Sequence, residues 1–371
     1  MKVQGKNYRS IWLNPHKDDL VHIIDQRYLP HQFIIADITT SGMMVTAIKE
    51  MWLRGAGLIG AAAAFGMYLA AVESIQLEEN SRKYLIKTAR KLIDTRPTAV
   101  NLKISLDKML NHLLNTHSNI ISEAKKMANK IADEDAEHCR RIGLHGLKII
   151  EEISNTKEGK TVNILTHCNA GWLAFVDYGS ALAPVYAAFN KGIKVHVWVD
   201  ETRPRNQGSK LTAWELQEHG IPYTIITDNT GGHLMQHKKV DLVIVGSDRC
   251  TRNGDIANKI GTYLKALAAY DNKIPFYAAL PSSTIDWDIK DGVKQIPIEQ
   301  RGTEEVKYMS GLNKNNIIED VLICPKDSPS LNYGFDVTPA RLISGIITER
   351  GVAEASERSL VSMFAKKTHD G

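Results

Sequence analysis

The stretch TVNILTHCNAGWL, Thr161 to Leu173, opens as a short apolar run and stops at the polar triplet His167-Cys168-Asn169. Alone, such a run reads equally well as a strand or as a piece of buried helix. Its surroundings decide. Lys194 to Val199, Tyr223 to Ile226, Asp241 to Val245 and Pro275 to Ala279 are further β-rich runs, with starts 18 to 34 residues apart and helical segments between them. That rhythm is the one βαβ units give in a parallel sheet covered on both faces. The expected fold class is therefore α/β, with a Rossmann-like parallel sheet. In open sheets of this kind ligands bind beyond the carboxyl ends of the strands. The residues there are His167-Cys168-Asn169, Asp200-Glu201, Asp228-Asn229, Asp248-Arg249 and Pro281-Ser282-Ser283. Five consecutive strands deliver polar or nucleophilic groups to one rim, which makes that rim the candidate site.

Upstream of Thr161 the texture changes. Tyr8 to Leu13 and Val21 to Asp25 read as short strands, and helices are predicted around Ser41 to Trp52, Leu58 to Val72, Ser81 to Asp94 and Val100 to Thr116. An amphipathic stretch, Ser122 to Ile153, ends in the polar loop SNTKEGK. The reading is a mainly helical N-terminal domain over 1–130, with a small opening β-sheet, followed by a Rossmann-like catalytic domain over 131–371. The apolar run Leu58 to Val72 has 15 residues between Arg54 and Glu73, too short for a bilayer, so a closely packed core helix is expected.

Composition narrows the class of partner. The 371 residues hold 46 Lys+Arg against 42 Asp+Glu, a net charge of +4, too small a field to favour nucleic acid or an anionic membrane. An anion must be bound locally. Four cysteines, Cys139, Cys168, Cys250 and Cys324, form no C-x-x-C pair, and the N-terminus MKVQGKNYRS lacks an apolar core, so a reducing, cytoplasmic setting is expected. Met43-Met44 and the scattered histidines show no ligand spacing, so no metal site is predicted.

Four short motifs carry chemistry. HCNAG stands where a dinucleotide fold would have G-x-G-x-x-G, which disfavours NAD; a cysteine past a strand and ahead of a helix can have its thiolate stabilised by the helix N-terminus, or can be a small buried hydrophobe. Asp248 begins SDRCTRNGDIANKIG, read as a loop followed by a helix with Asn258 and Lys259 in its first turns. There Asp248 is either a proton donor or a partner of Arg249. Asp255 is its rival and looks like a helix N-cap. In the N-terminal part, Arg54-Gly55-Ala56-Gly57 precedes the apolar helix, so a guanidinium and helix N–H groups can meet one anion. Arg96-Pro97-Thr98 has the same character. An isolated arginine is otherwise a surface charge.

Taken together, RGAGLIGAAAAFG from Arg54, RPTAVNL from Arg96, LTHCNAGWLA from Leu165, VDETRPRNQGSKLTAWEL from Val199, SDRCTRNGDIANKIGTY from Ser247, PSSTID from Pro281 and FDVTPARLI from Phe335 resemble the methylthioribose-1-phosphate isomerase family. The resemblance runs from about Tyr8 to Ala353. Regulatory subunits of a translation-initiation guanine-nucleotide exchange factor share the architecture and are expected to lack the paired Cys and Asp. The resemblance implies a homodimer without cofactor that isomerises a sugar phosphorylated on its anomeric oxygen. It places the catalytic residues on Cys168 and Asp248, and substrate binding on Arg54, Gly55, Ala56, Arg96, Gln207, Asn258 and Lys259. Two departures adjoin this set: the commoner pattern has Pro at Gly57, which here would loosen the phosphate turn, and Ala at Ser247. They leave open whether C5 carries methylthio, as opposed to hydrogen or phosphate. A catalytically silent, ligand-sensing subunit is the alternative from another class.

Overall fold

The computed structural model describes residues 1–78, 80–96 and 99–365. Pro97 and Thr98, read above as a helix start beside Arg96, lie outside them. Contacts divide the chain into two compact units, Met1–Arg140 with Asn169–Gly179, and Arg141–Cys168 with Ser180–Gly371. The 130/131 boundary read from the sequence falls inside the 37-residue helix Ile120–Thr156, and the division between units falls in the same helix at Arg140 and Arg141.

After a short antiparallel pair, Lys2–Val3 with Lys6–Asn7, the first unit continues with an antiparallel meander of β1 (Ile11–Leu13), β2 (Val21–Ile24) and β3 (Ile35–Ile38). The third strand escaped the sequence reading because IADI is short and mostly unburied. Helices α1 (Ser41–Lys49), α2 (Ala56–Gln76), α3 (Ser81–Ile93), α4 (Val100–Leu114) and α5 (Ile120–Thr156) follow. Side chains of Thr40 and Asn80 cap α1 and α3 by accepting the N–H groups of Met43 and Lys83. Helix α2 extends beyond the 15-residue run to 21 residues, long and apolar enough to cross a membrane. Here it is instead the centre of the core, with every residue from Gly57 to Ala71 buried among α1, α3 and α4. Its alanines and glycines leave no bulk to separate the neighbouring backbones.

The second unit is built on a seven-stranded sheet of β4 (Val162–Thr166), β5 (Val195–Asp200), β6 (Tyr223–Ile226), β7 (Leu242–Val245), β10 (Phe276–Ala279), β13 (Gly345–Thr348) and β14 (Gly351–Ala353). The order is β14-β13-β10-β7-β4-β5-β6, parallel except for the β13–β14 edge pair. The chain fills β4, β5 and β6 outward on one side, then returns to fill β7, β10 and β13 on the other. The central strand LVIV of β7 is buried at all four positions, as a sheet covered on both faces requires.

A second, four-stranded sheet was not foreseen. It joins β8 (Arg249–Thr251), β9 (Ile256–Lys259), β11 (Ile285–Asp286) and β12 (Phe335–Thr338) in the order β11-β8-β9-β12. The predicted helix carrying Asn258 and Lys259 is therefore strand β9, and the helix α9 (Thr262–Asp271) begins only after Gly261, whose φ of +101° ends the strand. A partner some 80 positions away, β12, pairs Asn258 with Asp336 and Lys259 with Phe335. Local sequence could not reveal it.

Candidate active site

The order of strands reverses between β4 and β7, which are hydrogen-bonded neighbours through Ile164–Leu242 and Leu165–Val243. In open parallel sheets this switch point leaves a crevice at the carboxyl ends. Cys168 follows β4 by two residues and Asp248 follows β7 by three. The two groups singled out from the sequence thus leave adjacent strands at the same end.

Cys168 is partly exposed, with a left-handed φ of +68° that is uncommon for any residue but Gly or Asn. Two hydroxyls pin its peptide. Its N–H donates to Thr202 Oγ1 at 2.8 Å, and Thr212 Oγ1 donates to its carbonyl at 2.7 Å. Thr212 ends a π-helical turn, Gly208–Thr212, that leads into α7 (Ala213–His219). The helix N-terminus expected behind the thiol is absent. Only a three-residue 3-10 turn, Trp172–Ala174, comes next, before helix α6 (Ala183–Asn190).

Behind the thiol lies a cluster that the sequence listed only as strand-end residues. His167, Asp200 and Asp228 bring ligand-type atoms within 4.8 Å of one another. Lys265 Nζ stands 3.2 Å from Asp200 Oδ2 and also donates to the carbonyl of Asp228, so a lysine supplies the cation among these carboxylates. The Asp228 carboxylate accepts the N–H groups of Thr202 and Arg203 at 2.7 and 2.8 Å. The rim loop after β5 is fixed by this carboxylate.

Asp248 is held by its backbone, the N–H donating to the Ala257 carbonyl at 2.9 Å, so β9 sets Asp248 beside the segment that carries Asn258 and Lys259. Arg249 pairs with Asp286 at 3.7 Å. Ser247, the departure from the commoner pattern, donates its hydroxyl to the carbonyls of Arg249 and Ala257. Lys259 is buried with its ammonium 4.8 Å from the centre of the Phe335 ring, and Asn258 Nδ2 donates to Thr262. Gln207 is also buried, and among the described residues its Oε1 has no hydrogen-bond partner.

The rival groups have structural work. Asp255 is followed by a strand and is not the N-cap of a helix of its own. It lies in the turn between β8 and β9, where its carboxylate accepts N–H groups from Gly292 at 2.9 Å and Ala340 at 2.8 Å and the Asn253 amide at 3.2 Å. Cys250 is fully buried in the apolar core and burial pushes its thiol well up.

Within the first unit, Arg54 donates through Nη1 to the Asn169 carbonyl at 3.0 Å and through Nη2 to the Asn169 side chain. It thus grips the residue that follows Cys168. Gly55 caps α2 with a φ of +113°, and a Cβ there would fall 2.4 Å from Ala174. Ala56 is the first residue of α2. Gly57 does not loosen the turn, as the sequence reading held. It is buried inside α2, where a Cβ would be 2.3 Å from Asp135 Oδ1 and from Phe175. Asp135 Oδ2 accepts the Val176 N–H at 2.7 Å, and desolvation raises this acid to about 7, assisted by Asp177. Arg96 follows α3, its N–H on the Ile93 carbonyl and its own carbonyl accepting from Ala99.

Comparison with known proteins separates fold from chemistry. Residues 53–355 match the Initiation factor 2 subunit family. The structure is similar to a solved 5-methylthioribose 1-phosphate isomerase from Pyrococcus horikoshii, with TM-score 0.81, 38% identity and 97% and 96% of the two chains covered. It is nearly as similar to the translation initiation factor eIF-2B subunit delta from A. fulgidus, with TM-score 0.79, 36% identity and 96% and 99% covered. Fold therefore does not choose between these descriptions. Sequence does: a methylthioribose-1-phosphate isomerase from Desulfatibacillum aliphaticivorans is 58% identical across 99% of this chain and all of the relative. The chain belongs to the Initiation factor 2 subunit family and, within it, to the methylthioribose-1-phosphate isomerases.

Proposed function

We propose that this chain isomerises S-methyl-5-thioribose 1-phosphate to S-methyl-5-thioribulose 1-phosphate, the aldose-to-ketose step of methionine salvage. The observation that carries the residue assignment is the placement of Cys168 and Asp248 beyond adjacent strands at the switch point. A sugar phosphorylated on its anomeric oxygen has no hydroxyl proton to lose there, so the ring must open by protonation of the ring oxygen. Asp248 donates that proton as the C1–O bond breaks. Cys168 serves C1 and C2, either taking the C2 proton as a thiolate or assisting a hydride shift from C2 to C1. On the first route the thiol returns that proton to C1 of the enol, and on the second the hydride arrives there directly; on both, C2 is oxidised as C1 is reduced and the C2 hydroxyl proton leaves, replacing the one Asp248 gave, so the atoms balance without an external redox partner.

The substrate-binding residues proposed from the family resemblance are Arg54, Gly55, Ala56, Arg96, Gln207, Asn258 and Lys259, the arginines and the lysine being suited by charge to a phosphate. The proposal includes a cytoplasmic homodimer that uses no cofactor, with the sugar phosphate as its partner and neither nucleic acid nor membrane. Incubation with S-methyl-5-thioribose 1-phosphate, 5-deoxyribose 1-phosphate and ribose 1,5-bisphosphate, followed by NMR of the ketose, tests it. The methylthio sugar should turn over fastest. Faster conversion of another sugar would reassign the C5 substituent, and no ketose from any of them would point to the silent-subunit reading.

A further inference from the structure

The loop that follows β5 carries Gln207, one of the proposed substrate-binding residues, and both of its ends are tied down. At the near end the Asp228 carboxylate accepts the N–H groups of Thr202 and Arg203, and beyond Gln207 the N–H of Ser209 donates to the Glu201 carbonyl at 3.3 Å. Between these ties Pro204, Arg205, Asn206 and Gln207 form a turn, with Asn206 in the left-handed region at a φ of +55°. The side-chain oxygens of Asn206 and Gln207 are buried and, among the described residues, have no hydrogen-bond partner. A buried acceptor left unpaired is costly. Sugar hydroxyls are donors that satisfy it, whereas a phosphate dianion has no hydrogen to give.

Among the described residues Arg205 is the one member of this turn whose side chain bonds to another segment. Its Nη1 stands 2.9 Å from Oε1 of Glu305, 100 residues further along the chain in a single helical turn, Glu304–Lys307. The Glu305 carboxylate is braced on its other sides. Arg301 donates to Oε1 through Nη2 at 2.7 Å and to Oε2 through Nε at 2.9 Å, and Asn332 Nδ2 donates to Oε2 at 2.9 Å. Arg301 is itself paired with Glu299 at 3.0 Å. Burial disfavours the Glu305 carboxylate, yet Arg301, Arg205 and Asn332 outweigh it and hold the acid down to about 2. Arg203 Nη2 donates to the Val306 carbonyl at 2.7 Å, so the loop grips the same helical turn twice. Within the loop, burial and then the charge of Arg205 lower the Lys210 ammonium, so Arg205 faces a second cation and Glu305 supplies the opposing charge.

We propose that Glu305 is a positioning residue for substrate binding: braced by Arg301 and Asn332, it holds Arg205 and thereby sets where the turn presents Asn206 and Gln207 to the hydroxyls of the sugar. The proposal rests on the isomerase reading and on Gln207 as a residue that touches substrate. Glu305 acts through Arg205 and on no reacting atom, so its loss weakens binding more than chemistry.

Two readouts on the full-length protein test it. In Glu305→Gln an amide with one accepting oxygen replaces a carboxylate that receives Arg205, Arg301 and Asn332. KM for S-methyl-5-thioribose 1-phosphate should rise about tenfold, with kcat changed by less than about threefold. Placed in Gln207→Ala, the same change should raise KM by less than about twofold further, whereas in Arg54→Ala it should again raise it about tenfold, because groups that act as one unit are not additive and independent ones are. An unchanged KM, a full further rise in Gln207→Ala, or a kcat lowered alike in every background with KM unmoved, as a merely structural role would give, overturns the proposal. Should Glu305→Gln fail to fold, Arg205→Met removes the other end of the link and should reproduce the KM rise; an unchanged KM in that variant overturns the proposal equally. Backbone hydrogen exchange, read by mass spectrometry without substrate, should be faster over residues 203–210 in Glu305→Gln than in the unsubstituted protein and equal over Val162–Thr166. Equal exchange over 203–210 overturns the proposal whatever the substrate. Absence of ketose from the unsubstituted protein would instead sink the isomerase reading, with the exchange result still deciding whether Glu305 holds the loop.

Discussion

The switch-point rim and the four-stranded sheet next to it each hold one cysteine and one aspartate, put to opposite uses. Cys250 and Asp255 are closed off, the thiol in an apolar core and the carboxylate receiving donors from three segments of chain. Cys168 and Asp248 are partly exposed, and hydrogen bonds to the peptide of each help to place them on the rim. A carboxylate that receives N–H groups from several segments is committed to holding those segments together.

The sharpest way to break this comparison is to exchange oxygen for sulfur. Cys168→Ser should abolish isomerisation while Cys250→Ser leaves most of it. Limited iodoacetamide treatment should label Cys168 first, with bound sugar phosphate protecting it; early labelling of Cys250 with Cys168 inert would reverse the assignment.

The aspartates give the next largest contrast. Asp248→Asn should keep the melting temperature and substrate affinity but lose about a hundredfold or more in kcat, because an amide is no general acid. Asp255→Asn should do the reverse. An amide offers one accepting oxygen to donors that used two, a loss on the order of 1–3 kcal/mol, seen as a melting temperature lower by several degrees with kcat little changed. Calorimetry and steady-state kinetics on the pair would expose a wrong choice between the two acids.

Smaller effects are expected in the first unit. Arg54→Ala and Arg96→Ala should each weaken substrate binding by about 1.5–3 kcal/mol, roughly ten- to 150-fold, by titration calorimetry. Dephosphorylated sugars should not distinguish the variants from the parent. Unchanged affinity for the phosphorylated sugar would remove that arginine from the site.

Asp135 gives the smallest and most pH-dependent effect. Its acid titrates at about 7 in the fold against 3.8 unfolded, so between about pH 4 and 7 the folded state holds the extra proton. Its contribution to stability therefore falls as pH rises through that window and is flat above it. Asp135→Asn should melt a few degrees above the parent at pH 8 and close to it at pH 4; an equal gap at both would show that the carboxyl is not being desolvated.

Much of this was legible in the chain. Strand periodicity, helix-forming runs and caps placed most elements near their observed positions, because period and capping are local properties. The rim was legible too, since the residue after a parallel strand falls at a known place. The sequence could not show that Ile256–Lys259 is a strand, because its partner Phe335–Thr338 is remote, nor that Gly57 is a packing demand, because Asp135 reaches it from another helix. It named His167, Asp200 and Asp228 as strand ends without giving them a role. By itself the sequence determined the α/β class and the family and, through the resemblance, nominated the pair Cys168 and Asp248, all of which rest on local pattern and residue identity. Only the tertiary structure decided which carboxylate is saturated, which thiol is sealed and what stands behind Cys168. Hydrogen-bond partners and desolvation depend on groups brought together from distant positions, and no local window of sequence contains them.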